Sequence, residues 1–246
     1  MRWRRALKPL AWTLAACVLL TVGWAGFMIA DPFAGQRQQA LQQQLYRQWR
    51  APDGHAPAAG RRDQYGRRPH HGQQGRLIDH RSGTGAAYAR PAVPRLATGQ
   101  PFALLRIPAL GQGWKFAIVQ GTGLGQLALG PGHVPGTGLP GQRGNFVVAA
   151  HDVTAGNPFL HLGALHRPDR IYVITRTHVY EYVVQSRHKV RYTDVGVELP
   201  DPGHPGLAPS RALITLITCT PVTLDFTPWR IVVTGRLIKT TDRQSP

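Results

Sequence analysis

From Gly99 onward, short apolar stretches rich in β-branched residues recur between Gly/Pro clusters, the densest being GPGHVPGTGLPG at 130–141. This punctuation constrains the fold more than any other feature, because Gly and Pro break helices and the intervals between them suit strands. Strands are expected at 104–108, 115–120, 145–151, 171–177, 179–190, 212–219 and 230–237, the pattern of an all-β sandwich or barrel. The one helical candidate in this region is short, at 157–165, with Pro158 in its first turn. Composition agrees: 28 Gly and 21 Pro with 17% charged residues argue against a helical bundle or coiled coil.

The N-terminal part is built differently. MRWRRALK carries four cations and no acid, and residues 10–30 contain no charged side chain. A run of that length crosses a hydrocarbon core of roughly 30 Å as a helix, and the cationic flank places the N-terminus in the cytoplasm. The reading is a basic cytoplasmic stub at 1–9 and an uncleaved, single-pass membrane anchor at 10–30. A cleaved signal peptide is the alternative, with Gly23 and Ala25 as small residues for a peptidase. Residues 31–98 hold 11 Arg, no Lys and 4 Asp among Gln, Gly, Pro and Ala. Few aliphatic residues and like-charge excess cannot offset ordering entropy, so a flexible linker is expected, with a helical start at 36–49. The folded domain then spans 99–240, followed by a tail at 241–246.

The formal net charge is +17. Nucleic acid is not the expected partner, since the arginine-rich linker lacks interleaved aromatics on a folded face; phospholipid head groups or wall polymers fit better. No zinc-type spacing occurs and the acids are scattered, so neither a metal site nor a cofactor is expected. The Gly121–Gly125 stretch lacks the phosphate-loop Lys-Ser/Thr and reads as a turn.

With Cys17 inside the anchor, Cys219 is the only thiol outside the membrane. It ends the strand-like run TLITC and is followed two residues on by Pro221, which leaves the sulfur at a rim. A small buried hydrophobe is the bland reading of such a thiol; a nucleophile is the other, and it needs an acid–base partner. His151 closes another strand-like run, NFVVAAH, and His133, inside the Gly/Pro loop, is its rival. Arg230 opens RIVVTGRL and can face the thiol, where a fixed guanidinium offsets a developing oxyanion; Arg191, Arg211 and Arg236 compete for that place.

TLITC, a histidine ending an earlier strand and an arginine opening the next resemble the sortases, cysteine transpeptidases of the Gram-positive cell surface. The resemblance covers about residues 100–240: LLRIPALG, LALGPGHVPGTGLPGQRGNFVVAAH, NPFLHLGAL, TLITC and WRIVVTGRL occur in the family's order. The glycine-rich run is most similar to the class E and class D branches. The resemblance implies an eight-stranded closed β-barrel with one or two short helices. It assigns Cys219 as nucleophile, His151 as general acid and base, and Arg230 as oxyanion stabiliser, with Thr218, Val134 and Ala150 beside the substrate. It further implies cleavage of the Thr–Gly bond in an LPxTG-like or LAxTG-like signal. The surface protein, held as a thioester, then passes to an amine of a lipid-linked peptidoglycan precursor.

Three positions depart from the family pattern. Ala150 stands where Gly is usual before the histidine, and Asp152 where class E relatives commonly carry Arg. Val134 replaces a Tyr associated with preference for LAxTG over LPxTG, which leaves the second residue of the signal open. The 195–210 segment, rich in Pro and Gly, is expected to form the loop over the substrate groove. Arg outnumbers Lys 25 to 4, in keeping with a high-G+C source and diaminopimelate as acceptor. A pilin-polymerising member of the same family, with a protein lysine as acceptor, and a non-catalytic, membrane-tethered barrel that binds envelope polymers are the competing readings.

Overall fold

The computed structural model describes residues 34–51, 96–220 and 227–243. The apolar run at 10–30 lies outside them, and among the described residues no helix is long and apolar enough to cross a membrane. Two compact units are present, residues 1–41 and 42–246. The described part of the first is the opening of helix α1 (Ala34–Arg50), whose later turns belong to the second. Straight-chain Gln, Arg and Leu favour this helix, and Arg47 and Arg50 in its last turn complement the helix dipole.

The second unit is a closed barrel of eight strands in the order β1-β2-β3-β4-β7-β8-β6-β5. The strands are β1 (Pro101–Arg106), β2 (Lys115–Gln120), β3 (Gly132–His133), β4 (Gly144–Ala149), β5 (Arg170–Ile174), β6 (His178–Arg191), β7 (Ala212–Thr220) and β8 (Trp229–Asp242). The expected barrel is therefore present, and β8 runs further than its apolar stretch because β6 pairs with it as far as His178 opposite Asp242. Closure removes sheet edges and makes every strand two-faced. On β7, Ile214 and Leu216 enter the core with Leu105, Ile118, Phe146, Ile171, Tyr182 and Val233, whereas Leu213, Thr215, Ile217 and Cys219 point the other way.

Two elements differ from the sequence expectation. Residues 157–165 form turns and a single 3-10 turn (Leu162–Ala164) instead of a helix. Phe159, Leu162 and Leu165 are fully buried three residues apart, the period of a 3-10 turn and not of an α-helix. The glycine-rich turn, in contrast, opens into a short helix, α2 (Leu124–Leu129), with Gly123 at its N-cap. The chain then enters β3, where Gly132 lies so close to the Gly121 carbonyl that a Cβ would overlap it.

The packing of the barrel extends to residues before 99. Trp49 is 1% exposed, and its Nε1 donates to the Phe102 carbonyl at 3.1 Å. Gln42 donates to the Leu129 carbonyl and accepts from the Ala117 amide, so α1 joins α2 and β2 through one side chain. Arg176 donates to the Trp49 carbonyl, and the Arg243 guanidinium stacks 4.9 Å from the Trp49 ring. Leu45 completes the contact, at 4% exposure.

Candidate active site

Strand register brings together three residues that are far apart in sequence. β7 and β8 are antiparallel with Cys219 opposite Arg230, so the two side chains leave the sheet on the same side. β4 and β7 are parallel, with Ala149 beside Ile217, and the Ala150 amide donates to the Ile217 carbonyl at 3.1 Å. His151 follows two residues past the last β4–β7 pair, at the end of β4 that lies beside the Cys219 end of β7. Cys219 and Arg230 lie at one end of the outer face of β4, β7 and β8, on which Val147, Thr215, Ile217 and Val232 also stand, and His151 follows β4 at that same end.

Thr218 points to the opposite face. It is 5% exposed, and its hydroxyl donates to the Ala150 carbonyl at 2.9 Å, so it staples the segment before His151 onto β7. Ala150 packs into the core at 6% exposure. Val134 continues β3 alongside β4, its amide donating to the Val147 carbonyl, which sets it about 13 Å along the strand from His151. The structure thus pairs Cys219 with Arg230, brings His151 to the same end of the sheet, places Val134 farther along the outer face, and assigns Thr218 and Ala150 contacts beneath it.

Cys219 is half-buried and carries no disulfide. Burial pushes its pKa above the ordinary thiol value; the Arg230 charge opposes that shift and the Asp152 charge adds to it. Arg230 is held in place by donating from Nη1 to the carbonyls of Thr227 at 2.7 Å and Trp229 at 2.8 Å, with its guanidinium 5.9 Å from the Tyr192 ring. Thr227, which the sequence did not single out, is 5% exposed and donates its hydroxyl to the Thr220 carbonyl. It joins the described ends of the β7–β8 connection one residue past the thiol.

His133 is tied down elsewhere. Nδ1 is 2.7 Å from Gln120 Oε1 and Nε2 is 3.0 Å from both the Gly138 carbonyl and Thr137 Oγ1, while the ring packs between Phe102 and Phe146. Burial lowers its pKa to about 4, so it is a neutral internal histidine at neutral pH.

The 195–210 segment lies over the same outer face. Asn145 Nδ2 donates to the carbonyls of Val197 and Leu199 at 2.9 and 3.1 Å, and Thr215 donates to Asn145 Oδ1 at 2.7 Å. Asp201, 6% exposed, is 3.5 Å from Arg211 and 3.4 Å from His204. With its base fastened to β4 and β7, the segment still exposes Val195, Leu199 and Leu207. A cleft of about 440 Å³ opens under it, lined by His188, Val197, Asp201, Leu213, Thr234 and Arg236. This cleft runs along the face from Leu213 and Arg236 to Val190, the cross-strand partner of Arg230. Among the described residues, no group of three or more His, Cys, Asp or Glu is placed to hold a metal.

A thiol, an imidazole and a guanidinium at one end of a sheet can perform acyl transfer: the sulfur attacks a carbonyl, the imidazole moves a proton, and the fixed cation faces the oxyanion. Known proteins match the chain. The Sortase domain model matches residues 105–238. Sortase SrtE1 of Streptomyces coelicolor is 34% identical over 106 residues, covering 42% of this chain and 29% of that protein, so the chain spans under a third of its length. Sortase E from Streptomyces avermitilis superposes with a TM-score of 0.54 at 35% identity over 59% of this chain and 93% of that one. The SrtF sortase from Corynebacterium diphtheriae does so with a TM-score of 0.57 at 28% identity over 65% and 95%. Sortase E1 from Streptomyces coelicolor with a tripeptide in its active site gives 0.53 at 30% identity over 61% and 94%. With the family model matched over more than half of its length, and its likeness leaning to class E, this chain belongs to the sortase family of cysteine transpeptidases.

Proposed function

We propose that this sortase is anchored in the membrane by residues 10–30 and cleaves the Thr–Gly bond of LPxTG-like or LAxTG-like signals, passing the surface protein to an amine of a lipid-linked wall precursor. The observation that carries the reading is the cross-strand pair of Cys219 and Arg230, with His151 two residues past the last β4–β7 pair at the same end of the sheet. In the first half-reaction the Cys219 thiolate forms a C–S bond to the Thr carbonyl carbon. The C–N bond to Gly breaks, and the proton held by His151 goes to the leaving amine. Arg230 faces the carbonyl oxygen while it carries negative charge. Because burial raises the Cys219 pKa, the thiol rests protonated at neutral pH, and reaction proceeds from the fraction in which its proton has passed to the imidazole.

The position of Val134 beside Val147 on the outer face supports a part for it in choosing the second residue of the signal. The surplus of Arg at 31–98 suits an anionic surface.

The test is cleavage and hydroxylamine transfer by the purified chain on paired LPxTG and LAxTG peptides, with Cys219→Ala as control. Thiol-dependent release of the Gly-containing fragment is the expected result, and the ratio of the two peptides reports signal preference. A folded protein that cleaves neither peptide overturns the proposal.

A further inference from the structure

Asp152 is the residue that the mechanism above leaves without work. It is 3% exposed, and its Oδ2 is buried with no hydrogen-bond partner among the described residues. A buried carboxylate oxygen without a donor is costly, and native proteins satisfy nearly all such atoms, so an orphan beside a reactive group marks a place that a ligand completes.

Its position is set by the same contacts that place His151. β4 ends at Ala149, so strand alternation no longer governs residues 151 and 152. The Thr218 hydroxyl holds the Ala150 carbonyl, and the Phe159 amide donates to the His151 carbonyl at 3.0 Å, fixing the chain on both sides of the bend. The carboxylate is near enough for Cys219 to feel its charge, and the sign is informative: it disfavours the thiolate. A group that opposes ionisation of the nucleophile does not serve the first half-reaction. Among the described residues, the charged groups acting on the thiol are Asp152 and Arg230, and Arg230 is already engaged with the Thr227 and Trp229 carbonyls.

We infer that the Asp152 carboxylate is the binding group for the cationic amine of the acyl acceptor, holding its ammonium beside the Cys219 thioester. The inference rests on the transpeptidase reading and concerns its second half-reaction. After acylation His151 is neutral, having protonated the leaving amine. The acceptor ammonium, hydrogen-bonded to Asp152 Oδ2, gives one proton to His151, and the freed amine attacks the thioester carbon. As the C–N bond forms and the C–S bond breaks, the electron pair returns to sulfur, which takes the second proton of the nitrogen. The products are the amide, the Cys219 thiol and a protonated His151, and charge is conserved. Asp152 does not change protonation state.

The test compares wild type, Asp152→Asn and Asp152→Ala on one sorting peptide with two acceptors, diaminopimelate as a cationic amine and hydroxylamine, which is neutral at neutral pH. The expected result is a loss of roughly tenfold in transfer to diaminopimelate, the worth of one charge-assisted hydrogen bond, with hydrolysis and hydroxylamine transfer within about twofold of wild type. A parallel loss with both acceptors, or no loss with either, overturns the inference while leaving the transpeptidase reading intact. If wild type shows no thiol-dependent cleavage, that reading falls and the inference with it. Alkylation of Cys219 by iodoacetamide across pH reports independently of turnover: Asp152→Asn moves the thiol titration to lower pH, and an unmoved titration overturns the placement of the carboxylate beside the thiol.

Discussion

Acidification probes the one histidine whose environment is most altered. His133 has its pKa lowered from 6.5 to about 4 by burial, so the fold excludes a proton that the unfolded chain binds throughout that interval. The resulting stability is fully present above about pH 6.5 and is lost as pH falls towards 4. The separation is worth about 3 kcal/mol, a large share of the roughly 5–15 kcal/mol that holds a domain together. Urea unfolding followed by tryptophan fluorescence at about pH 7 and about pH 4 measures the change, with an unchanged denaturant slope confirming that the unfolding surface is the same. Carboxylates and the other histidines titrate as well, so the informative quantity is a difference. In His133→Gln the drop between the two pH values should be smaller than in wild type by about 3 kcal/mol. Equal drops in the two proteins would show that His133 is not held neutral by its contacts with Gln120, Thr137 and Gly138, and would return it to contention as the partner of the thiol.

Three further outcomes follow from the geometry. Cys219→Ala should abolish turnover and His151→Ala nearly so, while Arg230→Lys should lose much of it because a point charge does not reproduce the fork; retained activity in Arg230→Ala with loss in Arg236→Ala would shift the oxyanion role to Arg236. Thr218→Val removes the buried bond to the Ala150 carbonyl, so a loss of about 1–2 kcal/mol in thermal or urea unfolding is expected together with reduced kcat, since the segment before His151 loses its staple. Trp49→Ala should cost about 3–5 kcal/mol in urea unfolding, because the ring is fully buried and its Nε1 bonds the Phe102 carbonyl; a cost under about 1 kcal/mol would mean that these helical turns do not stay docked.

Much of this was legible before any coordinates. Gly/Pro clusters and β-branched runs located most of the strands, because turn chemistry and side-chain alternation are local properties of the backbone. The chemistry was legible in residue type: a lone thiol at the end of TLITC, a histidine closing NFVVAAH and an arginine opening RIVVTGRL. Less was visible where local signals are weak. β3 has only two residues, and α2 reads as Leu and Gln among glycines. The 157–165 segment has a three-residue apolar spacing that a helical reading absorbed too readily.

What the tertiary structure alone decided is which of these residues meet. The parallel register of β4 on β7 brings the chain leading to His151 to the Cys219 end of β7, and the antiparallel register of β7 on β8 sets Arg230 opposite Cys219, where a slip of one residue would have turned a side chain to the other face. The same closure separated two histidines that sequence left as rivals, burying His133 among rings and carbonyls while His151 stands beyond the strand end. It also took Asp152 out of strand alternation, sinking a carboxylate whose charge reaches the thiol. Strand identity comes from residues a few positions apart, whereas register and burial come from summing packing over the whole barrel, and that sum is not written in any one segment.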